Sequence, residues 1–252
     1  MRKGLLIIDR GSRELEVRCE LDKIAHKAKE RGGYHYSNYC FLEVVPPFIE
    51  EGILHCLHEN IEFITVMPYF LYPGLKLKET VKQTANLAKK LHLNLVITKP
   101  LSYSQLLSTI IIDRIEKLKK DKNIFYKNSD CDVLVIGHGS SDKRARDAFI
   151  YTVKKIKNHF RNVEPCFLEL DSPNIEQGLF SIIQSRPKII LVMPYFLHRG
   201  IHIKIDVTNE IKKALIKHGF SNIFISDHIG VDEKMVDLVL ERAKESENRR
   251  DI

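Results

Sequence analysis

The sequence predicts an α/β protein made of two duplicated parallel-sheet lobes facing a central cleft. Three observations predict it. Short runs of β-branched and aliphatic residues alternate with stretches of helical spacing along the chain, the pattern of strands joined by crossover helices and hence of parallel sheets. The order of those elements starts again after residue 131. The second half also repeats the letters of the first: Cys40-Phe-Leu-Glu43 returns as Cys166-Phe-Leu-Glu169, and Val66-Met-Pro-Tyr-Phe-Leu71 as Val192-Met-Pro-Tyr-Phe-Leu197, both at an offset of 126 residues. Two copies of a four-strand unit make a duplicated domain rather than a solenoid.

Residues 3–9 form an aliphatic run that stops at Arg10-Gly11-Ser12, a strand ending in a turn. Val17, Leu21, Ile24 and Ala28 then recur at helical spacing, giving a helix over 14–30. A second strand over 36–43 leads to Pro46-Pro47, which suits the start of a helix running to about His58. The third strand covers 61–70, Gly74 breaks the chain, and a helix follows over 78–91. A short strand at 94–98 and a long helix at 104–120 complete the first copy. Residues 121–131 are polar and without period, which marks them as the linker between lobes 1–120 and 132–252. The second copy then reads as strands over 132–137, 163–169, 187–196 and 222–226, with helices over 142–160, 173–185, 203–218 and 231–246. Gly11-Ser12 and Gly139-Ser140 stand 128 apart, so the first helix region is shorter by two residues in the second copy.

Ligands of open α/β sheets gather at the carboxyl ends of the strands. There the second copy carries His138, at the tip of the apolar strand Asp132-Val-Leu-Val-Ile-Gly137, and His202, in the loop after its third strand. The first copy acts as an internal control, because Arg10 replaces His138 and Lys76 replaces His202. Two histidines that are present together and absent together serve one site. Neutral imidazoles bind divalent transition ions, so His138 and His202 are the candidate metal ligands, and with Glu169 as the nearby carboxylate they are also the candidate catalytic residues. Glu43, its counterpart, is retained in the first copy, which weighs against a purely catalytic reading of that position. Arg10 and Lys76 stay cationic and repel a metal ion; they are candidates for binding an anionic substrate. Ser140 is a further candidate substrate-binding residue, at a position that also suits capping the next helix. His198 forms His-x-x-x-His with His202, but Gly200 between them argues for a loop rather than a helical metal motif. Asp206, four residues after His202, is placed either to orient that imidazole or to favour the first turn of the helix.

With 252 residues and 44% hydrophobic content the chain can bury a full core. No apolar run reaches the roughly 18 residues of a membrane span and the start is too short for a signal peptide, so a soluble, cytoplasmic protein without membrane partners is expected. Its five cysteines are scattered, with no Cys-x-x-Cys pair, and read as reduced and mostly buried. The formal net charge of +7 points to an anionic partner. The lysines lie along helix faces without interleaved aromatic residues, which argues against nucleic acid and leaves a polycarboxylate or phosphorylated small molecule. No phosphate-binding Gly-x-x-x-x-Gly-Lys-Ser/Thr loop is present, so neither ATP nor another nucleotide is expected. Two lobes in one chain remove the need to dimerise, which makes a monomer the simplest assembly.

The series His138-Gly-Ser, Phe167-Leu-Glu-Leu-Asp-Ser-Pro173, Met193-Pro-Tyr-Phe-Leu197 and Gly200-Ile-His202 with Asp206 resembles the sirohydrochlorin chelatase family in its two-lobed form, over residues 3–246. Asp206-Val-Thr208 stands where that family often has Asp-Ile-Pro, and Asp9-Arg-Gly11 where Gly-His-Gly is usual, which puts any site in the second lobe. The resemblance implies an enzyme inserting Co2+ or Fe2+, or Ni2+ in some members, into a tetrapyrrole bearing many carboxylates, for cobalamin or siroheme synthesis. It implies that the metal is substrate, held by His138 and His202 with Glu169 beside them. A carrier that holds metal or tetrapyrrole without turnover is the alternative.

Overall fold

The protein is described here by a computed structural model covering residues 1–198, 200 and 202–249, with the side chains of His202, Ile203, Lys204 and His218 outside the described set. Among the described residues it has eight strands: β1 (Lys3–Asp9), β2 (Tyr36–Phe41), β3 (Phe63–Pro68), β4 (Leu95–Ile97), β5 (Asp132–Gly137), β6 (Asn162–Phe167), β7 (Ile190–Pro194) and β8 (Ile223–Ile225). The helices are α1 (Leu15–Gly32), α2 (Ile49–His58), α3 (Leu75–Lys90), α4 (Gln105–Asp121), α5 (Lys143–Ile156), α6 (Ile175–Gln184), α7 (Thr208–His218) and α8 (Glu233–Asn248). The two sheets are parallel and four-stranded, in the orders β2-β1-β3-β4 and β6-β5-β7-β8, so the duplication read from the letters is a duplication of topology. The first strand of each copy is central, which is why 3–9 and 132–137 are apolar on both faces.

The chain forms two compact units whose borders differ from the sequence halves. Unit 1 is Met1–Ser102 with Val231–Ile252, and unit 2 is Tyr103–Gly230. Helix α4, assigned by sequence to the first lobe, packs on α5 and β7 of unit 2, and α8, assigned to the second, packs on α1 and β3 of unit 1. Residues 121–131 therefore lie inside unit 2 rather than between lobes. An amphipathic stripe requires only that a helix cover an apolar face, and does not say which of two like sheets provides it.

In unit 1, α2 and α3 cover one face through Leu6, Ile8, Cys40, Ile53 and Val66, with Leu87 and Leu91 packed against them. Strand alternation gives the other face to α1 and α8. Helix α8 is fastened by polar groups as well as by its apolar stripe. Glu247 accepts hydrogen bonds from Tyr34 Oη (2.7 Å), Thr65 Oγ1 (2.7 Å) and Lys3 Nζ (3.0 Å), and the buried Arg242 donates to the carbonyls of Pro100 and Ser102, both at 3.0 Å. In unit 2 the matching face, Leu134, Ile136, Cys166, Ile190 and Val192, packs on Leu179 of α6 and Ile211 of α7. At the amino end of β5, Asp132 is fully buried and accepts from both Arg161 nitrogens and from Ser185. Four of the five cysteines are buried, Cys19 is exposed, and none is bonded to another. No helix among the described residues is long and apolar enough to cross a membrane.

Candidate metal centre

The carboxyl edge of the second sheet is built from the turns after β5 and β6. Gly137 ends β5 against the ring of Phe149, where a Cβ would come within 3.2 Å. Gly139, two residues on, has φ +94° and lies so close under the next loop that a Cβ would stand 1.7 Å from the carbonyl oxygen of Glu169. The loop is thereby laid directly on the turn: Glu169 N donates to the His138 carbonyl at 3.0 Å, and Leu168 N to that of Gly137 at 2.9 Å. This brings the two side chains together, with His138 Nε2 3.1 Å from Glu169 Oε1. The ring sits edge-on to Phe196, centroids 6.4 Å apart, and its Nδ1 lies 3.4 Å from the Gly139 carbonyl oxygen.

A neutral imidazole whose Nδ1 carries the proton presents a lone pair at Nε2, and a carboxylate presents only acceptors. Two such atoms in contact call for a cation between or beside them, either a proton or a metal ion. Ligand bonds of about 2.1 Å to one shared ion would meet at an angle of roughly 95° across this gap, within the range of octahedral and tetrahedral sites. Glu169 is half exposed and His138 less so, so the pair is open to an incoming ion.

His202 opens a π-helical turn, His202–Val207, that runs into α7; its side chain, the second expected metal ligand, lies outside the described residues. Asp206 falls in the same turn rather than in the α-helix proper. Such turns are uncommon and recur at functional sites. No group of three or more metal-binding side chains is found among the described residues. Ser140 Oγ accepts the backbone N–H of Asp142 at 3.1 Å, and Asp142 in turn caps α5 by accepting from Arg144 N at 3.0 Å. The serine therefore shapes the turn into α5, and its hydroxyl oxygen is already engaged.

Unit 1 repeats the construction with different chemistry. Gly11 (φ +106°) lies under Glu43, and Glu43 N donates to the Arg10 carbonyl at 3.0 Å. Here the carboxylate is held by the chain's own cations: Arg10 Nε is 2.8 Å from Glu43 Oε1 and Lys76 Nζ 2.6 Å from Glu43 Oε2. Hydrogen bonds from Lys76 and then Arg10 hold the Glu43 carboxyl below the usual carboxylate range, and Glu43 raises Lys76. The sequence reading had Lys76 in a loop; it lies in the first turn of α3, which begins at Leu75 after Gly74. The retention of Glu43 opposite Arg10 and Lys76 has its explanation in this triad.

Sequence reasoning missed Arg146 and Asp171. Arg146 on α5 donates to Asp171 Oδ1 (2.7 Å) and to the Ser172 carbonyl (3.2 Å) in the loop that carries Glu169. Only the matched arginine spacing, Arg18 against Arg146, hints at it in the letters.

Comparison with known proteins finds the same duplication. The family model CbiX matches the chain twice, over residues 4–118 and 132–246. The sirohydrochlorin ferrochelatase of Priestia megaterium is 24% identical, aligned over 96% of this chain and 89% of its own length, and the sirohydrochlorin cobaltochelatase of the same organism is 25% identical over 96% and 79%. Among solved structures, SirB from Bacillus subtilis with Fe3+ superposes with a TM-score of 0.81 at 22% identity, covering 97% of this chain and 95% of that one.

Proposed function

This chain belongs to the CbiX family, and on that premise we propose that it is a sirohydrochlorin chelatase, an enzyme that places a divalent metal ion at the centre of a polycarboxylate tetrapyrrole. The observation that carries the reading is the 3.1 Å contact of His138 Nε2 with Glu169 Oε1 at the carboxyl edge of the second sheet. Metal insertion exchanges the two pyrrole N–H protons of the macrocycle for one M2+. The ion must shed water and be held near the ring, and the protons must be accepted. His138 and His202, as neutral imidazoles, hold the ion with Glu169 beside them, and the Glu169 carboxylate, freed as the ion passes to the ring, takes up a departing proton. Nothing in this exchange requires ATP.

Arg10 and Lys76 take substrate carboxylates. Both cations are held by carboxylates, Arg10 by Glu43 and Lys76 by Glu43 and Glu79 (3.2 Å), and substrate carboxylates compete for them; Leu15 (76% exposed) and Leu75 (64%) open α1 and α3, and Val44 (48%) follows Glu43. Cations beside exposed apolar side chains suit a flat macrocycle with a charged rim. Ser140 shapes its turn, and its hydroxyl proton is what it offers a substrate carboxylate. The metal is Co2+ or Fe2+, with Ni2+ accepted by the same donor types. Identity does not separate these ions, since the iron and cobalt enzymes of one organism match this chain at 24% and 25%.

The test is an absorbance assay with free sirohydrochlorin and Co2+ or Fe2+, followed with and without protein. Catalytic turnover, lost in His138→Ala, is the expected result. Binding of one equivalent without turnover would identify a carrier instead.

A further inference from the structure

Two copies of one fold allow the shared scaffold to be subtracted from what only the metal-binding copy needs. In unit 1, Arg18 on α1 stacks its guanidinium 5.3 Å from the centroid of the Phe41 ring and donates to the Pro46 carbonyl at 2.6 Å. In unit 2, Arg146 on α5 stacks 5.7 Å from the Phe167 ring and donates to the carbonyl of Ser172, the counterpart of Pro46. Arginine, ring and carbonyl are thus common property of the fold.

What unit 2 adds is Asp171, at the position held in unit 1 by Val45. Its side chain is 8% exposed; Oδ1 accepts from Arg146 at 2.7 Å and from Ser172 N at 2.8 Å, and its Cβ lies 3.4 Å from where a side chain on Gly139 would begin. The segment bearing Glu169 is therefore fixed at both ends. On one side its backbone is bonded to His138, and on the other it is tied through Asp171 to α5. Glu43 is gripped directly by Arg10 and Lys76, whereas Glu169 faces a histidine and has to hold its place while the ion comes and goes.

We propose that the Arg146–Asp171 ion pair is a positioning device that holds Glu169 against His138 in the geometry that receives the metal ion. The inference rests on the reading that this pair of side chains receives it. Groups that orient a ligand without touching the metal are worth about ten- to a hundredfold in affinity or activity.

The test uses the full chain, with Co2+ binding followed by its ligand-field absorption and tetrapyrrole turnover measured alongside. Asp171→Val, which installs the unit 1 residue, is expected to weaken Co2+ binding and lower kcat by about tenfold or more, with KM for the tetrapyrrole changed less than twofold. Asp171→Asn keeps an acceptor for Arg146 and Ser172 N and should recover most of both. The mirror change Arg18→Lys should move neither. Co2+ affinity and kcat of Asp171→Val within twofold of the parent would overturn the proposal, as would failure of the asparagine to rescue, or an equal loss in Arg18→Lys. A parent protein that neither binds Co2+ nor turns over would overturn the chelatase reading itself, a distinct outcome from an active parent indifferent to Asp171.

Discussion

Changing Arg10 and Lys76 to histidine together should create a second metal site in unit 1. The backbone that positions His138 and Glu169 is already duplicated around Arg10 and Glu43, down to the 3.0 Å bond from the glutamate N–H to the preceding loop. What keeps an ion out is charge. The two cationic nitrogens lie 2.8 and 2.6 Å from the Glu43 oxygens, so an ion bonded there would sit about 4 Å from each. At that distance, even with the dielectric constant of water, a unit cation repels a divalent ion by about 2 kcal/mol, and two such cations by about 4 kcal/mol. That is at most roughly a thousandfold in affinity, and Glu79, 3.2 Å from Lys76 Nζ, offsets part of it. Histidine is shorter than the lysine it replaces, and a ligand bond of about 2.1 Å fills the difference. Equilibrium dialysis with Co2+ should find one ion per chain in the parent and two in Arg10→His/Lys76→His, falling back to one when His138→Ala is added. A double variant that still binds one ion, and none after His138→Ala, would refute the equivalence of the two edges.

Gly139→Ala should abolish Co2+ binding and destabilise unit 2 by about 2 kcal/mol or more, since its φ is +94° and a Cβ would stand 1.7 Å from the Glu169 carbonyl oxygen; metal titration and urea unfolding read the two effects. Glu43→Gln tests the unit 1 triad through pH. The folded carboxyl lies below its ordinary value of 4.5, so its contribution is complete above that pH and fades as pH falls through the lower folded value. The variant should lose about 1 kcal/mol or less at pH 7, because the triad is partly exposed, and converge with the parent in acid. Asp132→Ala removes a fully buried carboxylate that accepts from Arg161 and Ser185, while Arg161 keeps the Ser185 carbonyl and hydroxyl; it should cost about 2–3 kcal/mol in denaturant unfolding, a loss under about 1 kcal/mol contradicting the ion pair as drawn.

The strands and helices were legible because each has a clear period, and the duplication because Met-Pro-Tyr-Phe and Phe-Leu-Glu recur at one offset. The strand 132–137 is legible to the residue, since Val133 to Ile136 are apolar between Asp132 and Gly137. The partners of α4 and α8 were not legible. Self-similarity says where a copy begins, and the stripe Leu107, Ile110, Ile111, Ile115, Leu118 announces a buried face without saying which sheet covers it. The start of α3 was placed late because Gly74 supplies no side-chain cap to announce it. The π-helical turn at His202 leaves no trace in the spacing, since it opens its helix and no apolar stripe precedes it whose register it could shift. At the site, the pairing of His138 with Glu169 followed from two strand-end loops of one sheet. The clamp by Arg146 did not, because Asp171 acquires its meaning only beside Val45 and an arginine on another element.

The coordination of the bound ion decides whether His138, His202 and Glu169 serve one site. X-ray absorption of the Co2+-loaded protein should show two imidazoles and a carboxylate oxygen around cobalt, with one imidazole lost in His138→Ala and one in His202→Ala. A cobalt shell that keeps its imidazole count in either variant would contradict that shared site.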